Sequence, residues 1–175
     1  MEEKINNISR KVDSVLTDDW IEGFELGWSW VVDFETEMYR LFPYEKESDI
    51  LRVLYDAGYN SGIKLGKGIL NYFELESKSL KERARYFDAF LSRIQIATIK
   101  FSKREKHRAL TFVGGTPFAR AFLGVTEYAI CYHTAGIIAG CTKALFDRDV
   151  VVVESRCLAR GDNDCEFRVW PDELE

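Results

Sequence analysis

The chain has 175 residues, 46% hydrophobic and 14% aromatic, with 24 basic against 29 acidic side chains and a net charge of −5. That length and apolar share can build the core of one domain. The acidic balance argues against a nucleic-acid surface, and no run approaches the roughly 18 apolar residues of a membrane span.

Residues 2–17 place Ile5, Ile8, Val12, Val15 and Leu16 at helical spacing, which predicts an amphipathic helix. The next stretch is rich in aromatics, among them Trp20, Phe24, Trp28, Trp30, Phe34, Tyr39 and Phe42. It reads as a strand near 26–32 and a short helix ending before Pro43. Residues 1–20 lack the apolar core of a signal peptide, so a cytoplasmic location is expected.

Residues 47–74 predict a long helix with Ser48 as its N-cap. Within it Gly58, Gly62 and Gly66 recur every fourth residue. Each glycine costs a water-exposed helix roughly 1 kcal/mol against Ala. The stripe therefore predicts a backbone that something approaches closely: a neighbouring helix or sheet, a ligand cavity, or a dimer seam.

A further helix is predicted over 79–92, after Ser77 or Ser79. Residues 94–101 and 107–113 alternate as two strands, and their short charged link favours an antiparallel hairpin. Lys100, Lys103, Arg104, Lys106 and Arg108 cluster there around Glu105 and read as a solvated connection rather than a phosphate-binding patch. Gly114-Gly115-Thr116-Pro117 reads as a turn. A helix with a small apolar face fits 126–146, and strands at 150–158 and 165–170 flank a turn at 159–164. Helices come first and antiparallel strands later, so the expected class is α+β: a sheet of about four strands with helices on one side.

The chemistry gathers near the C-terminus. The run Glu154-x2-Cys157-x7-Cys165, with Cys131 from the apolar stretch upstream, offers three thiols and a carboxylate. In a cytoplasmic protein such thiols are metal ligands or free thiols before they are disulfides. The donors suit a four-coordinate structural Zn²⁺, which would have no open position for catalysis. Residues three apart on a regular strand face opposite sides, so Glu154 and Cys157 can share one ion only through a bulge near Ser155 and Arg156. Arg156, Arg160 and Arg168 lie close enough in sequence to offset part of the negative charge. Other readings are buried core thiols, which suits Cys141, a Cys157–Cys165 disulfide, or an iron–sulfur cluster using Cys141 in place of Glu154. His107 and His133, the only histidines, read as satisfied or exposed side chains. No nucleophile–base pair, phosphate cradle or dinucleotide fingerprint stands out, and no catalytic residue is assigned.

Residues 116–169 resemble the 4-vinyl reductase domain, a small-molecule-binding family. The resemblance runs through Pro117-Phe118-Ala119, Cys131, Gly136-Ile137-Ile138-Ala139-Gly140, Val151-Val152-Val153-Glu154, Cys157, Ala159-x-Gly161-Asp162 and Cys165-x-Phe167-x-Val169. Weaker similarity reaches back to about residue 47. The expected division is thus an N-terminal extension over 1–45 and the ligand-binding domain over 46–175. The same domain forms the sensor half of activators that respond to aromatic compounds, and it shares its fold with vesicle-tethering components.

In those sensors three Cys and one Glu hold zinc, and Cys131, Glu154, Cys157 and Cys165 fall on all four positions. The resemblance also implies a homodimer and a buried apolar pocket near the zinc-bearing hairpin. Trp28, Trp30, Phe87, Phe90, Phe112, Phe118 and Phe122 are candidate lining groups. Val152 stands where the aromatic sensors carry a pocket Tyr, so phenol is not transferred as the ligand. The expectation is a stand-alone, sensor-like module holding a hydrophobic small molecule, with structural zinc, signalling to a partner protein. The alternatives are an enzyme or enzyme accessory acting on a tetrapyrrole-like compound, and a scaffold subunit.

Overall fold

The computed structural model describes residues 2–17, 31, 33–34, 36–37, 47–94, 98–101, 110–114, 116–124 and 126–171. Helix α1 spans Glu2–Val15, α2 Glu47–Tyr72 and α3 Leu80–Arg93; strands β1 (Thr98–Phe101) and β2 (Leu110–Gly114) follow. Then come a short helix α4 (Pro117–Ala121), α5 (Tyr132–Phe146), β3 (Val150–Arg156), a single 3₁₀ turn (Leu158–Arg160) and β4 (Cys165–Pro171). The strands pair antiparallel throughout, in the order β1-β2-β4-β3. The architecture is α+β.

The chain's own chemistry explains most of these boundaries. Ser79 caps α3 through a complete capping box, accepting from the Glu82 amide while the Glu82 carboxylate accepts from the Ser79 amide. At the other end Ile94 is the C-cap of α3, so the predicted strand 94–101 begins only at Thr98 among the described residues. The predicted strand 107–113 is seen over Leu110–Gly114, with 107–109 outside the described residues. Helix α2 starts at Glu47, which places Ser48 within its first turn rather than at the cap. Val31, in the stretch predicted as a strand, is helical, as are Asp33, Phe34, Thr36 and Glu37. Trp28, Trp30, His107 and the basic link after Lys100 lie outside the described residues.

The helix predicted over 126–146 forms only over Tyr132–Phe146. The backbone before it is engaged elsewhere: the Thr126 amide donates to the Ala159 carbonyl and the Cys131 amide to the Glu154 carboxylate. Cys131 sits at the N-cap, with φ −82° and ψ 44°, rather than within the helix.

The glycine stripe is resolved as a helix–helix seam. A methyl group at Gly58 would overlap the His133 carbonyl, and one at Gly62 the Ile137 carbonyl. One at Gly66 would stand 2.7 Å from the Ala144 Cβ. In return, methyls at Gly136 and Gly140 would overlap the carbonyls of Tyr55 and Tyr59. Helices α2 and α5 thus meet backbone to backbone. Cys141 lies in this seam, its thiol donating to the Gly62 carbonyl at 3.2 Å.

Val152, Phe167 and Val169 are buried toward the helices, whereas Val151, Val153 and Arg168 on the alternate positions are exposed. Val12 and Leu16 of the N-terminal segment join Phe87, Leu91, Leu145 and Phe167 in one continuous core. Among the described residues no helix is long and apolar enough to cross a membrane.

Candidate metal centre

Three elements deliver the donors. Cys131 comes from the N-cap of α5, Glu154 from β3, and Cys157 and Cys165 from either end of the turn that joins β3 to β4. Glu154 pairs with Phe167 across the ladder, but Arg156 pairs with Glu166, so Ser155 is an extra residue on its strand. That bulge reverses the facing of everything after it. It brings Cys157 to the side that Glu154 and Cys165 already face, as the spacing required.

The turn is tightly held. Cys157 caps the 3₁₀ turn, and its carbonyl accepts from the Arg160 and Asp162 amides. Its own amide donates to the Asp162 carboxylate at 2.8 Å. Gly161 closes the turn at φ 94°, a left-handed conformation that a side chain would strain.

The four ligand atoms lie within 4.8 Å of one another, and the three thiols are fully buried or nearly so. Cys131 Sγ is 3.8 Å from Cys157 Sγ and 3.9 Å from Cys165 Sγ. Two thiolates bound tetrahedrally to zinc at ~2.3 Å stand about 3.8 Å apart, so the sulfurs already have the spacing of a metal site. Glu154 Oε2 accepts from the Cys131 amide at 2.9 Å, while Oε1 is buried with no hydrogen-bond partner among the described residues. A buried carboxylate oxygen without a partner is costly, and a cation among the sulfurs would satisfy it. The residues fit a metal ion.

The electrostatics agree. Cys131 is raised well above the usual thiol range by hydrogen bonds to Cys157 and Cys165, then by burial and the nearby Glu154. The Glu154 carboxyl is pushed up to about 8, first by burial and then by the charge of Cys157. Cys157 is drawn well below the usual range by the hydrogen bonds of the two other thiols. Without a cation the cluster therefore keeps one thiolate and holds protons on its neighbours. Those protons are what a bound metal would displace.

The three arginines near the hairpin serve it differently from the expected contact with the ligands. Arg156 pairs with Asp164 at 2.6 Å and with Glu166 at 3.0 Å, and Arg168 pairs with Glu166 at 3.0 Å. Arg160 pairs with Asp162 at 2.7 Å and thus reaches the centre through the carboxylate that holds the Cys157 amide. Cys141 stays apart in the α2–α5 seam, where burial pushes its thiol up to about 12. All four cysteines are free. His133 is half-buried in the first turn of α5. Phe87, Phe90 and Phe118 are buried in the core, Phe122 packs against it, and the Phe112 side chain lies outside the described residues.

Sequence reasoning passed over Thr116, which caps α4 and places its Oγ1 3.2 Å from Cys131 Sγ. A Thr directly before Pro at the first helical position is a helix-start signature, and it was available in the sequence. The glycine pair ahead of it reads more strongly as a turn.

Residues 115–171 match the family model of the 4-vinyl reductase domain. Two uncharacterised proteins of Methanocaldococcus jannaschii are similar in sequence: one is 33% identical over 71% of this chain and 59% of its own length. The other is 26% identical over 63% of this chain and 61% of its own. The chain thus spans about three fifths of each relative it matches.

Among solved structures, the phenol-responsive sensory domain of the transcription activator PoxR, with phenol, aligns with a TM-score of 0.63 at 15% identity. That alignment covers 85% of this chain and 76% of the sensory domain. A trafficking protein particle complex subunit 3 from Naegleria fowleri, covalently bound to palmitic acid, aligns at 0.62 and 18%, covering 90% and 98% of the two chains. A vinyl-4-reductase family protein from Methanocaldococcus jannaschii aligns at 0.51 and 17%, covering 91% of each. At these identities the likeness is one of fold.

Proposed function

Because residues 115–171 carry a 4-vinyl reductase domain, we propose that the protein is a zinc-stapled, sensor-like module that holds a hydrophobic small molecule in a buried pocket. The ligand-binding unit is residues 46–175, working as a homodimer in the cytoplasm, with the N-terminal segment docked on it. Cys131, Glu154, Cys157 and Cys165 hold the zinc. The observation that carries the metal half of the reading is the convergence of three sulfurs at tetrahedral spacing on a carboxylate oxygen that lacks a partner. Bound zinc would supply structural cross-linking: four protein donors fill its coordination, so it offers no position for substrate. Zinc suits a set of thiolates and one carboxylate better than the hard, oxygen-preferring cations do.

The ligand half is supported by two structures of the same fold whose printed ligands are phenol and palmitic acid, one aromatic and one aliphatic. Phe118 and Phe122, in edge-to-face contact at 5.1 Å beside the metal-bearing turn, are the described aromatics best placed to line such a pocket. Native mass spectrometry of the purified protein tests all three elements together. One zinc per chain, a dimer mass and a retained apolar molecule are the expected result. Protein that binds no metal when Zn²⁺ is titrated in would sink the staple, and a monomer without any apolar adduct would sink the pocket and the dimer.

A further inference from the structure

Thr116 is fully buried, and its hydroxyl oxygen faces two groups at once. It accepts from the Ala119 amide at 3.1 Å, capping α4, and it lies 3.2 Å from Cys131 Sγ. An oxygen that already accepts from an amide has its own proton free to give, and a metal-bound thiolate has none. With a cation in place, the hydroxyl must therefore be the donor and the sulfur the acceptor.

The segment that Thr116 begins closes on the same centre twice more. The Gly124 amide donates to the Leu158 carbonyl at 3.3 Å, and the Thr126 amide to the Ala159 carbonyl at 3.1 Å. Both carbonyls belong to the turn between Cys157 and Cys165. Residues 116–126 thus grip the metal-bearing turn by backbone at one end and a ligand sulfur by side chain at the other.

We propose that Thr116 is a positioning residue of the metal centre: its hydroxyl donates to the Cys131 thiolate and ties helix α4 to the coordination of the ion. This rests on the reading that the four donors hold a metal. A donor to a coordinating sulfur lowers the energy of the sulfur lone pairs and fixes the side chain's rotamer, so its loss weakens the site.

The test uses the full chain loaded with Co²⁺ as a spectroscopic substitute, comparing wild type with Thr116→Val and Thr116→Ser. Valine keeps the shape and loses the hydroxyl; serine keeps the hydroxyl. In Thr116→Val the sulfur-to-cobalt charge-transfer band should move to longer wavelength and metal affinity should fall roughly 10- to 100-fold. Thr116→Ser should stay close to wild type in both.

A Thr116→Val protein with a lower melting temperature but an unmoved band and affinity within twofold would make Thr116 a helix cap only, overturning the proposal while leaving the metal site intact. Wild-type protein that binds no Co²⁺ or Zn²⁺ would overturn both. If Thr116→Val does not fold, hydrogen exchange on wild type decides. The Ala119 amide should gain more protection on metal loading than the amides of α1 do, and equal gains would overturn the proposal.

Discussion

Glu154 shows how far one atom can report on a site. Its carboxyl is held at about 8 by burial and by the neighbouring Cys157 charge, against 4.5 ordinarily. In the metal-free protein a raised carboxyl contributes stability that is fully present below pH 4.5 and lost as pH rises through about 8. The metal-loaded protein should behave oppositely over that window, because a cation needs the carboxylate and the thiolates deprotonated. Chemical denaturation at pH 5 and pH 8, with chelator and with zinc, should therefore give slopes of opposite sign. Glu154→Gln should flatten the chelated slope, and slopes of the same sign with and without zinc would refute the argument. Glu154 and its partners were legible in the sequence because donor type and spacing are local properties. The bulge at Ser155 was legible too, since the two-residue period of a strand leaves no other way for Glu154 and Cys157 to share a side. The role of the arginines was not, because their choice among the carboxylates depends on side-chain reach across the hairpin.

At the scale of elements, the α2–α5 seam is the decisive packing. It makes opposite predictions for glycines that a propensity scale treats alike. Gly136→Ala would drive a methyl into the Tyr55 carbonyl, and neither backbone can yield without the helices separating. A cost of about 1–3 kcal/mol is expected. Gly68, on the same α2, has nothing within 4 Å of the position its methyl would take. Gly68→Ala should stabilise by about 0.5–1 kcal/mol. Thermal melts of the two single variants check this, and a destabilised Gly68→Ala or a neutral Gly136→Ala would contradict it. The four-residue spacing made the stripe visible in the sequence, but its partner was hidden. Gly136 and Gly140 sit in an apolar run whose periodicity continues upstream, which also blurred the start of α5. The break at Cys131 comes from a hydrogen bond to Glu154, 23 residues away. Local pattern carries no trace of such a bond.

Across the whole molecule the core is continuous from Val12 and Leu16 of α1, through Phe87 and Leu91, to Cys157, Cys165 and Phe167. A metal holding Cys131 to the hairpin therefore stabilises a unit that includes the N-terminal helix. Removal of the ion should lower the stability of that entire unit, by several kcal/mol if the zinc is structural. Calorimetry with and without chelator should show one transition displaced to lower temperature. A separate low-temperature transition for the hairpin, with the helices unmoved, would show that the core is not cooperative.

The notches of the seam also set a mechanical rule. With carbonyls of one helix seated against glycines of the other, neither helix can slide by a fraction of a turn. The next notch lies about 5.4 Å away, one full helical pitch. Small displacements imposed at the α5 N-terminus, where Cys131 sits, cannot be absorbed between the two helices. They must be carried undiminished to the far end of both, as a lever carries a push.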